Sequence, residues 1–206
     1  MGLFLAASGV IGADIVAVER SIRSFCSAKN GIFEPASGTT NAPGISVIAQ
    51  CGSNTTILYP SEFMLWNEAS THLSKELHLP VFMFHIHDSD LWMFVLYLNG
   101  EVVSQFNPIP EYWEELDSTV KATWRGDAQA ICKNVPGLLP DSIDQYLVEW
   151  ADVEVYVQKA YPDDKFPYGN EWQMMDFMRR VGLKYPLHDD GKADGNTYRL
   201  QLNPMG

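Results

Sequence analysis

Two histidines separated by one residue and followed by two aspartates are the residues whose types and spacing could do chemistry in this sequence. In a β-strand, His85 and His87 point to the same face, so both imidazoles could bind one metal ion. Asp88 or Asp90 could supply a third ligand, and zinc suits such a set. A bound zinc ion would lower the pKa of a water molecule to about 7 and so produce a nucleophile for hydrolysis. These four residues are the candidate metal site, and a divalent metal is the only cofactor that the sequence suggests.

The same stretch also fits two structures that bind no metal. The first is a strand that ends in two polar side chains on its exposed face and is followed by an Asp-Ser-Asp turn. The second is a site of acid–base chemistry without a metal, for which histidine is suited because its ordinary pKa is near neutral. The H-x-H-x-D-H pattern of metallo-β-lactamase-type hydrolases is not reproduced, since Ser89 and Asp90 stand at its last two positions. A metal-dependent hydrolase is therefore an alternative and not the leading hypothesis.

A dense group of aromatic residues is the second notable feature. Eight rings fall within 32 residues, at positions Phe82, Phe84, Trp92, Phe94, Tyr97, Phe106, Tyr112 and Trp113. Most of them should form a core. Tyr112, Trp113 and Trp124 lie on short predicted helices among acidic residues such as Glu114 and Glu115, which suits a protein-binding patch, because Trp and Tyr are typical anchors of interfaces. These three aromatic residues are the candidate binding residues, and the alternative is that they pack in the core or at its edge.

Other catalytic and ligand-binding motifs are absent from the sequence or incomplete. It contains no G-x-S-x-G nucleophile motif, and no glycine-rich phosphate loop with an established spacing. Asp190–Gly195 is similar to the start of a calcium loop, but Lys192 and Gln201 stand where its third and twelfth positions need oxygen ligands. No catalytic motif is recognisable, and the sequence favours a protein that is not an enzyme.

Charge separates the possible partners. The 206 residues contain 14 Lys+Arg and 26 Asp+Glu, a net charge of −12. Such a chain has little to displace counterions from nucleic acid, and it is repelled by anionic membrane surfaces. Residues 61–161 carry sixteen of the acidic and five of the basic side chains, so the acidic character is concentrated in the middle of the chain. A basic protein is the partner that this charge favours.

Cysteine usage and hydropathy indicate the compartment. Cys26, Cys51 and Cys132 are far apart and form no C-x-x-C pair, which fits a reduced cytoplasmic setting. The apolar N-terminal stretch has no preceding Lys or Arg and is interrupted by Asp14, so it does not match a signal peptide. No uncharged apolar run approaches the roughly 20 residues of a membrane span. We therefore predict a soluble protein with no membrane association.

The first half of the chain predicts an alternation of strands and helices. The pattern gives a strand at Leu3–Ala7 and a helix at Asp14–Lys29, capped by Asp14. Strands follow at Ile45–Gln50 and Thr55–Tyr59, then a second helix capped by Ser61 and stopped before Pro80. A meander of three strands completes it, at Val81–His87, Leu91–Leu98 and Glu101–Phe106, with Asn99-Gly100 as a hairpin turn.

Short helical segments dominate the predicted second half. They are expected at Glu111–Leu116, Thr119–Trp124, Asp127–Val135, Asp141–Ala151 and from Asn170 to about Gly182. Strands are possible at Val153–Val157 and Tyr198–Leu202. The fold class is therefore α+β, a mainly antiparallel sheet with helices on one face, followed by a helical C-terminal region. We expect one domain over residues 1–206, with a sheet-forming part (1–107), a mostly helical part (108–185) and a polar tail (186–206).

Three functions fit these observations. The leading one is a non-catalytic protein-binding module, acidic like bacterial immunity proteins in charge and size alone. The second is a small-molecule-binding regulatory domain with a cleft between the meander and the helices that follow it. The third is the metal-dependent hydrolase that would use His85 and His87.

Overall fold

The computed structural model describes residues 2–37, 40 and 42–202. Its centre is one antiparallel sheet of eight strands in the order β2-β8-β3-β4-β1-β5-β6-β7. The strands are β1 Leu5–Val10, β2 Ile32–Pro35, β3 Ile45–Cys51, β4 Asn54–Leu58, β5 Val81–His87, β6 Leu91–Leu98, β7 Glu101–Phe106 and β8 Asn196–Gln201. The helices are α1 Ile15–Ala28, α2 Trp66–Leu77, α3 Ser118–Thr123, α4 Ala128–Asn134 and α5 Gln173–Arg180. The predicted α+β class with an antiparallel sheet is confirmed.

The strongest local signals lead to the predicted elements. Asp14 caps α1, its carboxylate accepting a hydrogen bond from the Ala17 N–H at 2.8 Å. The helix then buries Val18, Ile22 and Phe25, which share one face because they recur at helical spacing. In the meander, Asn99-Gly100 forms the predicted turn, with φ angles of 53° and 81°. Glycine and asparagine tolerate such left-handed conformations, which a two-residue hairpin requires.

Apolar cores lie on both faces of the sheet. Neighbouring residues of a strand point to opposite faces. In β5, Val81 joins a core with residues of α1 and α2, whereas Phe82 joins a core with Phe177 of α5. The expectation of helices on one face only is therefore not confirmed. The C-terminal region covers the face opposite α1 and α2, because the meander strands are apolar on both sides and need two covers.

The second half of the chain is helical only in short pieces. The predicted helix at Asp141–Ala151 is wrong, since three separate 3₁₀ turns replace it, at Pro140–Ser142, Asp144–Tyr146 and Trp150–Asp152. They still bury Ile143, Tyr146 and Trp150 in the core, while the Trp150 N–H bonds the distant carbonyl of Pro108 at 3.0 Å. Long-range packing therefore outweighs the local helical pattern.

Other predicted boundaries also differ. Glu111–Leu116 is not a helix, and Val153–Val157 is not a strand but a turn with Tyr156 at φ 63°. Ser61 does not cap α2, which starts later, after Leu65 and without a side-chain cap. The sequence pattern does not predict β2, because only Phe33 of its four residues is buried and no alternation is visible. None of the helices formed by the described residues is both long enough and apolar enough to cross a bilayer.

Candidate functional site

The turn between β5 and β6 places the polar stretch of the predicted metal site. Asp88 and Ser89 both have left-handed φ angles, 49° and 60°. The N-terminal segment holds this turn: the Gly2 N–H donates to Asp88 Oδ1 at 2.8 Å, and the Leu3 N–H donates to Ser89 Oγ at 2.7 Å. The Ser89 N–H returns a bond to the Leu3 carbonyl at 3.0 Å. Asp88 and Ser89 therefore tie two parts of the chain together.

The two histidines lie side by side on the same face, as the strand spacing predicts. His85 Nε2 and His87 Nδ1 are 3.5 Å apart. His85 is buried, and its ring lies parallel to the indole of Trp66, with centroids 4.8 Å apart and an angle of 15° between the planes. His87 is half-buried at the end of the strand. The pair therefore leads from a buried position on the sheet face to the end of strand β5.

Burial controls the protonation of His85. Its pKa is lowered to about 4, mainly by loss of solvent and also by the neighbouring His87, against a smaller opposite effect of the Leu5 backbone. Its Nδ1 atom is buried and has no hydrogen-bond partner among the described residues. At neutral pH, His85 is thus an uncharged ring packed on Trp66.

An aromatic surface surrounds His87. The rings of Phe4, Tyr112 and Trp113 all contact His87 edge to face, with centroids 4.9, 5.6 and 5.0 Å from its own. Phe4 is 43% exposed and Trp113 is 52% exposed. We call these four residues, Phe4, His87, Tyr112 and Trp113, the aromatic surface. Two of the three candidate binding residues therefore meet one of the candidate metal ligands.

The third candidate binding residue, Trp124, lies further along the same face. It packs, half-buried, on a small cluster formed by Met83, Val95 and Tyr97, which Trp66 also contacts. Trp66 in turn stacks on His85. Trp124 is therefore connected to the aromatic surface through packed side chains, although it does not belong to it.

Acidic residues border the aromatic surface. The Tyr112 hydroxyl donates a hydrogen bond to Asp90, and this bond raises the pKa of Tyr112, with a further contribution from the charge of Asp88. Glu114 and Glu115 follow Trp113 directly and are exposed. In the described part of the chain, the ion pairs include none of these four carboxylates. The border therefore carries uncompensated negative charge.

The geometry does not gather a set of metal ligands. The described residues contain no group of three or more His, Cys, Asp or Glu side chains that could hold a metal ion. Asp88 accepts a hydrogen bond from the Gly2 N–H and Asp90 accepts one from the Tyr112 hydroxyl, so both carboxylates have partners other than the histidines. The metal site at His85, His87, Asp88 and Asp90 therefore stays a prediction, without a third ligand to support it.

Two other groups of side chains have the composition of a catalytic site but lack its geometry or its protonation state. Ser21, Glu76 and His72 lie together, but Glu76 stands in the middle, 2.7 Å from each of the other two. A nucleophile triad needs the histidine in the middle, between serine and acid. Ser118 and Lys121 have the S-x-x-K spacing of some serine nucleophiles. The bond from Lys121 to Glu111 raises the pKa of its ammonium and so disfavours a neutral lysine base.

Cavities are present, one of them at the predicted cleft. A space of about 320 Å³ lies between Phe106 at the end of the meander and Val148 of the later segments, bordered by the ion pair of Arg125 and Glu149. A larger space, about 700 Å³, lies near Phe63 at the start of α2, away from the predicted cleft. Ligand pockets commonly measure about 300–1,000 Å³. The smaller space lies where the sequence predicts a cleft, but its described side chains form no arrangement that selects a ligand, so the ligand-binding domain stays a prediction.

Two residues of the site, Phe4 and Trp66, carry no functional signal in the sequence. The local pattern places Phe4 within a strand and Trp66 within the buried face of a helix. The signal that could have found Trp66 is the meander itself: alternate residues of β5, Met83, His85 and His87, need a cover on their face. No local signal pairs Phe4 with His87, because their contact depends on the sheet order.

The fold and site together define an α+β protein with an antiparallel sheet and an acidic, aromatic surface at one strand end. Comparison with protein-family models, curated proteins and solved structures finds no match for the chain.

Proposed function

We propose that this protein is a non-catalytic protein-binding module whose partner is basic. The observation that carries the proposal is the aromatic surface, where Phe4 and Trp113 are about half exposed while in ring contact with His87. Clustered, partly exposed aromatic side chains supply the anchors of protein interfaces. Contiguous exposed apolar side chains on a folded protein commonly mark a site where a partner binds and covers them.

The charge of the border supports a basic partner. Asp88, Asp90, Glu114 and Glu115 have no lysine or arginine partner among the described residues. Carboxylates around an apolar centre attract a partner of opposite charge and repel an acidic one. Attraction of this kind weakens as salt screens it, over a distance of about 10 Å at 0.1 M ionic strength.

The described residues of the aromatic surface and its border form no nucleophile–base pair, which supports a non-catalytic role. The Ser89 hydroxyl accepts the Leu3 N–H, and both neighbouring aspartates are engaged. His85 is neutral and packed on Trp66. A cytoplasmic location is part of the proposal, because Cys26, Cys51 and Cys132 are free thiols.

Peptide display tests the proposal directly. Peptides are selected on the wild-type protein, with the Trp113→Ala variant as a counter-selection. We expect ligands rich in Lys and Arg, and more than about tenfold weaker binding to Trp113→Ala, as for an interface anchor. Selection of peptides without basic residues, or equal binding to the variant, would contradict the proposal.

A matched pair of charge variants isolates the border. Glu114→Gln should weaken binding of the selected peptides and reduce its salt dependence. Glu101→Gln is the control, because Glu101 pairs with Leu98 at the other end of β6, about 23 Å along the strand from Leu91. Equal effects of the two changes would mean that only the net charge matters.

Elemental analysis separates this proposal from the hydrolase. The protein is purified without a metal-affinity tag or chelator, beside the double variant His85→Ala/His87→Ala. Our proposal expects no stoichiometric metal in either. About one zinc per chain, lost in the double variant, would replace the proposal with a metalloprotein.

A further inference from the structure

A second aromatic site lies on the other side of the molecule, around α5. A cavity of about 320 Å³ is lined by Phe166, Trp172, Met175 and Tyr185, with charged residues at its border. The rings of Trp172 and Tyr185 meet at 77°, with centroids 5.5 Å apart, and so form two walls of a corner. Burial raises the pKa of Tyr185 to about 12, so its phenol is neutral at physiological pH. None of these residues takes part in the aromatic surface described above.

The border of this cavity already holds an ammonium group. The Nζ atom of Lys165 lies 5.3 Å from the centroid of the Phe166 ring, within the range of a cation–π contact. The same nitrogen lies 3.5 Å from Asp189 Oδ1. A ring face and a carboxylate therefore converge on one positive charge at the mouth of an aromatic cavity.

The walls are fixed before any ligand arrives. The buried carboxylate of Asp176 accepts the backbone N–H groups of Lys165 and Phe166, at 2.9 and 2.8 Å, and so fixes that segment. A loop forms another part of the border, and in it the His188 N–H bonds the Lys192 carbonyl at 2.9 Å. Preformed walls reduce the ordering cost of binding.

The resident ammonium is easily replaced. Lys165 and Asp189 have side chains that are 62% and 90% exposed, and such solvated ion pairs contribute little to stability. From these contacts we infer that the cavity binds a small organic ammonium ion, with Trp172 and Tyr185 as walls and Asp189 as counter-ion. Lys165 occupies the mouth in the free protein and competes with the ligand.

Choline is the probe, and 3,3-dimethylbutan-1-ol is its neutral control of the same shape. Binding is followed by the shift of the Trp172 indole N–H in NMR spectra of the full chain, at constant ionic strength. We expect saturable shifts with choline and none, or far weaker ones, with the neutral alcohol, because only a cation gains from the ring faces and from Asp189. Absence of binding, or equal binding of both probes, would overturn the inference.

Two variants test the roles of the border residues. Asp189→Asn should weaken choline binding by about threefold to tenfold, through loss of the counter-ion. Lys165→Gln should tighten it by a similar factor, a gain that damage to the fold cannot produce. Lys192→Gln is the matched control, because Lys192 lies in the same loop as Asp189 but pairs with Asp190. This change should leave choline binding unchanged. Unchanged or weaker binding in Lys165→Gln would refute the competition.

Discussion

The side chain of Leu183 covers Gly9 so closely that a Cβ atom at position 9 has no room. Gly9 is in β1, near the centre of the sheet, and Leu183 follows α5. This contact joins the sheet to the C-terminal region at a point where both are buried. The two halves of the chain that the sequence distinguishes are therefore packed on each other.

Gly9→Ala tests this contact. The added methyl group overpacks a buried site, and we expect a loss of about 1–3 kcal/mol in the free energy of unfolding, measured in urea. Leu183→Ala destabilises as well, by creating a cavity. In a double-mutant cycle, the second change should cost less than it does alone, because it makes room for the first. Additive costs would contradict a direct contact.

A single unfolding transition is the second prediction, and it tests the one-domain proposal. Trp92 on the sheet and Phe177 on α5 share one core, with ring centroids 5.5 Å apart. Removal of either side exposes that core, so neither part should persist alone. Far-ultraviolet circular dichroism and tryptophan fluorescence should give coincident urea transitions. Two separated transitions would divide the chain into domains.

The third prediction concerns the buried carboxylate of Asp164. It accepts a hydrogen bond from the Tyr146 hydroxyl at 2.6 Å and pairs with Arg179 and Arg180 at 3.0 and 3.2 Å. Asp164→Ala leaves these groups without their buried partner and should cost about 3–5 kcal/mol. Asp163→Ala is the control: Asp163 contacts the same arginines from solvent, and its loss should barely move the denaturation midpoint.

The fourth prediction is a pH dependence from His85. Burial lowers its pKa to about 4 in the folded protein, against 6.5 ordinarily. Above pH 6.5 the His85 imidazole is neutral in both the folded and the unfolded chain, so protonation of this group takes nothing from the free energy of unfolding. As the pH falls to 4, only the unfolded chain binds the proton, and stability falls by up to about 3 kcal/mol. Below pH 4 the folded protein is protonated too, and the loss from this group levels off.

His85→Gln isolates this dependence from that of the acidic side chains. Urea unfolding at pH 7, 5.5 and 4 should show a shallower pH slope for the variant than for wild type. His78→Gln is the control, because His78 is exposed and its Nδ1 only bonds Asn99 at 3.0 Å. Equal slopes in His85→Gln and wild type would show that the imidazole does not stay neutral.

Local chemistry determines which parts of the fold could be predicted. Asp14 as a cap and Asn99-Gly100 as a turn act over three or four residues, and both predictions are confirmed. The continuous apolar runs of β5 and β6 are likewise local signals. The failure at Asp141–Ala151 arises because Trp150 bonds Pro108, a partner that a helical pattern cannot reveal. Propensity is weak against such packing.

The candidate site divides in the same way. The shared face of His85 and His87 follows from strand periodicity and is present in the structure. The hydrogen-bond partners of Asp88 and Asp90 could not be predicted, because Gly2 and Tyr112 come from distant parts of the chain. Tyr112 and Trp113 remain the predicted binding residues, and they lie beside His87, which the sequence pattern offers as a metal ligand.

The strand order has a consequence for how the chain comes to be folded during synthesis. Among the strands described, β2 pairs only with β8, and β8 stands between β2 and β3. Of the strands described, the one made last therefore fills a gap between two made early. Until it leaves the ribosome, β3 offers an open edge that other chains can pair with. Slow translation, or a pause before β8 is complete, should thus promote aggregation of the nascent chain.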